Sequence, residues 1–136
     1  MLDATAFDLA NVRLQKARGC LQDAEMTFAA NSLLGSANRS YYCIFHAMRA
    51  VQALDRFDSK QHAGVISNFR QQYIKTGIFP VDLSKVIGDA FKIRTDSDYQ
   101  DFYVVSKDAV ASQIANAKTF LEAVEDYINS KFPQPQ

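Results

Sequence analysis

The chain has 136 residues, 48% hydrophobic, 12% aromatic and 22% charged, with five Gly and three Pro. That profile excludes a disordered or fibrous chain, and the length suits a single domain over 1–136 that buries about two thirds of its unfolded surface. Formal net charge is zero, which speaks against a body that coats nucleic acid through bulk positive charge. Residues 1–80 nevertheless hold nine Lys and Arg against six Asp and Glu, and residues 81–136 hold six against nine, so an anion-binding surface is expected on the first half.

No apolar run nears the roughly 18 residues of a membrane span. The start Met1-Leu2-Asp3-Ala4 lacks the basic and apolar stretches of a signal peptide. The expected location is therefore cytoplasmic, with no membrane partner. Cys20 and Cys43 stand at no metal-binding spacing and form no Cys-x-x-Cys, so no metal site, cofactor or disulfide is expected and both read as small core residues.

In chain order, residues 3–10 form a weakly patterned lead-in. From about Asn11 to Ala30, Leu14, Ala17, Leu21, Ala24 and Phe28 recur at spacings of three and four, the mark of an amphipathic helix. Gly35 is expected to end it in a left-handed conformation and Ser36 to cap the next helix, which runs to about Leu54. Ser59 is expected to cap a third helix through about Tyr73, with Val65, Ile66, Phe69 and Tyr73 inward, and Thr76-Gly77 to stop it. Ile78-Phe79 before Pro80 reads as an extended bridge. A fourth helix, Val81 to Arg94, buries Leu83, Val86, Ile87, Ala90 and Phe91.

The polar run Thr95 to Asp101 reads as a loop. Its aspartates Asp96, Asp98 and Asp101 lack the Gly and terminal Glu of a calcium loop. Ser106 caps the last helix, Asp108 complements its dipole, and Val110, Ile114, Ala117, Leu121, Val124 and Ile128 form its inner face. Pro133 ends it and 133–136 is a frayed tail. No stretch alternates with period two for long enough to make a sheet. The sum is an all-α, up-and-down antiparallel bundle of four to five helices.

The second helix carries the anomaly. At about 100° per residue, Arg39 and His46 project from one side, together with Tyr42, Cys43, Ala50 and Ala53. The opposite arc, Tyr41, Ile44, Phe45, Met48 and Val51, is apolar and suited to burial. Two readings stand side by side: a hydrogen-bonded structural His with Arg39 paired to Asp98 or Asp101, or a chemical site.

The stretch Asn38-Arg39-Ser40-Tyr41-Tyr42-Cys43-Ile44-Phe45-His46-Ala47-Met48-Arg49-Ala50, followed by Lys60-Gln61-His62 and by Arg94 through Asp98-Tyr99, resembles the HEPN superfamily (higher eukaryotes and prokaryotes nucleotide-binding), in its small stand-alone prokaryotic branch. The resemblance covers roughly residues 11–130. It implies a bundle that dimerises and, in the active members, a metal-independent ribonuclease site built from an Arg and a His with four to six residues between them. Arg39 and His46 have six between them. The residue after the Arg is often Asn, Asp or His in active members and is Ser40 here.

Cleaving RNA through its own 2′-hydroxyl needs a base, an acid and positive charge on the phosphorane. One Arg and one His supply half of this, and a two-fold homodimer would bring two of each together, with Ala50 and Ala53 permitting close helix approach. Arg39 and His46 are thus the candidate catalytic residues, Tyr42, Arg49 and His62 the candidate RNA or nucleotide contacts, and Asp98 a supporting partner for an Arg. Arg49, Arg56, Lys60, Arg70 and Lys75 are candidates for a basic rim. The alternative function is a non-catalytic nucleotide-binding or interaction module that partners a small nucleotidyltransferase.

Overall fold

In the computed structural model, which describes residues 4–132, five helices follow one another: α1 (Ala4–Ala29), α2 (Leu33–Leu54), α3 (His62–Phe69), α4 (Asp82–Tyr99) and α5 (Lys107–Lys131). The π-helical turn Arg70–Ile74 continues α3. No strand occurs among the described residues. The expected all-α, up-and-down bundle is therefore what the chain forms, with α2 at its centre, packed on α1, α3, α4 and α5.

The centre of the core is aromatic. Tyr41, Phe69 and Phe120 are fully buried, and Phe69 meets Phe79 and Phe120 at ring-centroid distances of 5.5 and 5.7 Å. Burying each such ring contributes about 2–3 kcal/mol. A smaller cluster of Ala37, Val105 and Val110 closes the end near the α1–α2 turn, with Phe28, Leu33, Ile93, Tyr103 and Ile114 around it.

Several boundaries differ from the sequence expectation. Described residues of the lead-in are helical from Ala4, because Phe7 and Ala10 join the core and the Phe7 ring stacks on Phe132 at 3.9 Å. Phe7 and Leu9, the two large apolar side chains there, are too weak a periodic signal to show this in the sequence. The α1–α2 break falls at Asn31, whose φ is +63°, and Ser32 occupies the cap position. Asn tolerates the left-handed region. Gly35 and Ser36 lie inside α2, and the Ser36 hydroxyl donates to the Ala24 carbonyl at 2.7 Å, clasping the two helices.

Ser59 accepts from the Gln61 N–H at 3.2 Å within the turn, while α3 itself starts at His62 behind Gln61. Gly77, at φ +85°, stops the π-helical turn as expected. The run read as a loop is helical through Tyr99. Pairs one turn apart support it there: Lys92 Nζ to Asp96 at 2.6 Å and Arg94 Nε to Asp98 at 3.9 Å, with the Ser97 hydroxyl donating to the Arg94 carbonyl at 2.9 Å. At the start of α5 the Ser106 cap forms as read, its Oγ accepting from the Ala109 N–H at 3.1 Å. Pro133 and the tail after it lie outside the described residues.

Candidate functional site

The outward arc of α2 places Arg39, Tyr42, His46 and Arg49 in successive turns, and each is partly exposed. The Arg39 guanidinium sits 5.2 Å from the Tyr42 ring centroid, held by donations from Nε and Nη2 to Asn38 Oδ1 at 3.1 and 2.7 Å. His46 lies 5.9 Å from the same ring. Arg39 and His46 therefore pack against one tyrosine.

Two further elements converge on it. From α4, Arg94 reaches over both Tyr41 and Tyr42, at 5.4 and 5.7 Å. From the start of α3, His62 stacks on Phe45 at 4.2 Å and 16° and meets Tyr42 edge-on at 5.9 Å. Its Nδ1 lies 2.6 Å from the hydroxyl of Tyr41, which is fully buried. Both of the chain's histidines thus face the same tyrosine.

On the α1 side, Arg49 donates to Asp58 Oδ1 at 2.9 Å, and the buried Arg13 donates to the Arg49 carbonyl at 3.0 Å and pairs with Asp58 at 3.5 Å. This network fixes Arg49 beside Phe45, 5.9 Å from its ring centroid. Two buried atoms here, His46 Nδ1 and Arg49 Nε, make no hydrogen bond within the described chain.

Electrostatics follow from that crowding. Burial first, then the charges of Lys16, Arg49, Arg39 and Arg13, hold the His46 imidazole down to about 4, so it is neutral at neutral pH and able to accept a proton. Burial, Arg94 and Arg49 also hold His62 below the ordinary histidine value. Burial pushes the Tyr41 phenol up, so it remains a donor. Cys20 and Cys43 are free thiols raised by burial, Cys43 to about 12, and are unreactive core residues.

Of the residues singled out from the sequence, Arg39, Tyr42, His46 and His62 come together around one ring. Asp98 stands against Arg94, one turn back on α4, and Arg39 bonds Asn38. Ser40 points inward: fully buried, it donates to the Ala37 carbonyl at 3.0 Å and accepts from Gln113 Nε2 at 2.7 Å. It ties α5 to α2 and plays no part in the cluster. Ala50 and Ala53 are buried within the chain, which withdraws them as contacts for a second copy.

Of the basic rim, Arg49 pairs with Asp58. Arg70 donates to the Ser84 carbonyl at 2.9 Å and shares with Lys75 an open groove of about 560 Å³ between α3, its π-helical turn and α4. Sequence reading passed over Arg94 as a member of the site, and also the Tyr41 hydroxyl. The one available signal was chemical: a Tyr on a core arc needs a partner for its hydroxyl. No described helix is long and apolar enough to cross a membrane, and no cluster of three potential metal ligands occurs among the described residues.

The chain is similar to known proteins. A pattern described as HEPN domain matches residues 10–127. A UPF0332 protein of Thermotoga maritima is 30% identical over 84% of this chain and 86% of its own length. A UPF0332 protein of Archaeoglobus fulgidus is 30% identical over 90% of this chain and 98% of its own. A Methanocaldococcus jannaschii protein named as a candidate toxin is 25% identical over 87% and 80%. The chain belongs to the HEPN domain family.

Proposed function

For this HEPN-family chain we propose a metal-independent endoribonuclease of toxin type, in which Arg39 and His46 act on the phosphodiester and a homodimer completes the cleft. The observation that carries this reading is the packing of Arg39 and of a neutral His46, whose buried Nδ1 is unpartnered, against the one ring of Tyr42. A phosphate set against Tyr42 meets a guanidinium for its developing charge and an imidazole able to take the 2′-hydroxyl proton. The Tyr42 ring offers a stacking face for a base. A bound phosphate also offsets the four cations that depress His46. Ser40, buried and bonded to Gln113, leaves the charge at the cleft to Arg39 and its neighbours.

The test is cleavage of single-stranded RNA by purified protein in excess chelator, beside Arg39→Ala and His46→Ala. Each variant is expected to lose about 100-fold or more in rate. The name of the Methanocaldococcus jannaschii relative supports a companion expectation, a growth defect on expression that both variants relieve. Intact RNA, together with a growth defect that neither variant relieves, overturns the reading.

The groove beside Arg70 and Lys75 favours a second reading, a nucleotide-binding module that docks to a small nucleotidyltransferase. A rise in melting temperature with nucleotide, unchanged by His46→Ala and lost in Arg70→Ala, is its expected signature. No thermal response to nucleotide removes it.

A further inference from the structure

Accepting the phosphodiester chemistry above, we propose that His62 is the proton donor to the leaving oxygen and that Tyr41 is the positioning residue that sets its tautomer. The acid is then a second histidine of the chain that supplies the base.

The argument begins with Tyr41. Its ring is fully buried, and among the described residues its hydroxyl makes one hydrogen bond, to His62 Nδ1 at 2.6 Å. A buried phenol with one partner donates to it, since accepting from an Nδ1–H would leave its own proton unsatisfied. Neutral His62 therefore carries its hydrogen on Nε2. When the ring takes up a second proton, Nδ1–H donates to the phenolic oxygen and the phenol proton loses its acceptor, so the cationic state depends on the bound phosphate to offset that loss. A carboxylate or a backbone carbonyl behind a catalytic histidine accepts from Nδ1–H and sets the opposite tautomer; the Tyr41 phenol, as a donor, sets this one.

Ring contacts fix the rest. Parallel stacking on Phe45 at 4.2 Å and the edge contact with Tyr42 hold the plane of the imidazole. A histidine that merely starts a helix needs neither a buried donor nor two aromatic walls. His46 and His62 each lie 5.9 Å from the Tyr42 centroid, and Arg39 and Arg94 lie over that ring at 5.2 and 5.7 Å. Two imidazoles and two guanidiniums from three helices therefore gather around the Tyr42 ring, and the phosphate is set beside it.

In the step, the 2′-hydroxyl proton passes to neutral His46 as the 2′-oxygen bonds to phosphorus. The bond from phosphorus to the 5′-oxygen breaks with its electron pair on that oxygen, which takes the Nε2 proton of cationic His62. The products are a 2′,3′-cyclic phosphate and a 5′-hydroxyl, and solvent returns both histidines to their starting states. The charges facing His62 are Arg94 from α4 and Arg49 from α2, and those facing His46 are Lys16 and Arg13 from α1 with Arg39 and Arg49 from α2. The phosphate opposes both sets.

The experiment compares ordinary RNA with RNA carrying a bridging 5′-phosphorothiolate, whose thiolate leaves without a proton. His62→Gln is expected to slow ordinary RNA by about 100-fold or more and to cleave the phosphorothiolate at close to the rate of the unaltered protein. His46→Ala is expected to be slow on both. Histidine ¹⁵N spectra are expected to show His62 with its proton on Nε2, and Tyr41→Phe to mix the tautomers while the melting curve confirms a folded protein. Full activity of His62→Gln on ordinary RNA, equal losses on both substrates, or an Nδ1–H tautomer in the unaltered protein overturns the assignment to His62. Inertness of the unaltered protein toward both substrates overturns the nuclease reading and this assignment with it, so the two failures are told apart.

Discussion

Two sets of polar side chains on α2 behave in opposite ways. Ser36, Ser40 and Gln52 face inward and are almost wholly buried, yet each is bonded: Ser36 to the Ala24 carbonyl, Ser40 to Ala37 and Gln113, Gln52 to the Val65 carbonyl and to Asn68. His46 and Arg49 face outward, and each keeps a buried nitrogen without a partner amid a crowd of positive charge. The first set stitches α2 to α1, α5 and α3. The second set is held short of satisfaction. A fold gains nothing from leaving donors and acceptors idle, so unsatisfied groups gathered at one surface support the proposed function there. Gln113 qualifies the contrast, since its Nε2 bonds twice while its Oε1 has no partner.

The contrast makes separable predictions. The largest effect is expected from His46→Ala and Arg39→Ala, which should lower RNA cleavage about 100-fold or more while the melting temperature stays level or rises. A large loss of stability in either variant would break the distinction. Gln113→Ala is expected to do the reverse, costing about 2–3 kcal/mol in urea unfolding through lost hydrogen bonds and a cavity, with cleavage per folded molecule retained.

A smaller effect concerns pH. His46 is depressed from 6.5 to about 4 in the folded chain, so below 6.5 the unfolded state takes up the proton first and folding weakens as pH falls through that window. Because the ring is only partly buried, the contribution is roughly 1–2 kcal/mol. The stability curve of His46→Gln should be flatter than that of the unaltered protein between about pH 6.5 and 4, and identical curves would refute the depressed imidazole. Smallest of all, Ser36→Ala is expected to cost about 1 kcal/mol through loss of the hydroxyl's bond to the Ala24 carbonyl, with no change in cleavage.

Much of the architecture was legible. The inner face of α5 and its Ser106 cap follow from spacing alone, because a helical period is a local property and the cap lies beside the N–H it satisfies. The start of α1 and the end of α4 were not. Phe7 becomes core only when Phe132 and the rest of the bundle arrive, and the polar run at 95–99 stays helical through pairs that a composition rule counts as loop. Within the site, Arg39, Tyr42 and His46 could be read together since one helix carries all three. Nothing in the chain announces that Tyr41 and His62, 21 positions apart, share a hydrogen bond. The same applies to Arg94 over the two tyrosines.

The sequence by itself determined that the chain is a helical bundle and that α2 carries an Arg and a His on one side, because both depend on a repeat of 3.6 residues per turn. Only the tertiary structure decided that Ser40 belongs to the interior, that Ala50 and Ala53 are covered within the chain, and that Arg94 and His62 complete the surroundings of Tyr42. Those outcomes depend on which helices pack together and at what height, and that is settled by the joint burial of side chains far apart in the chain.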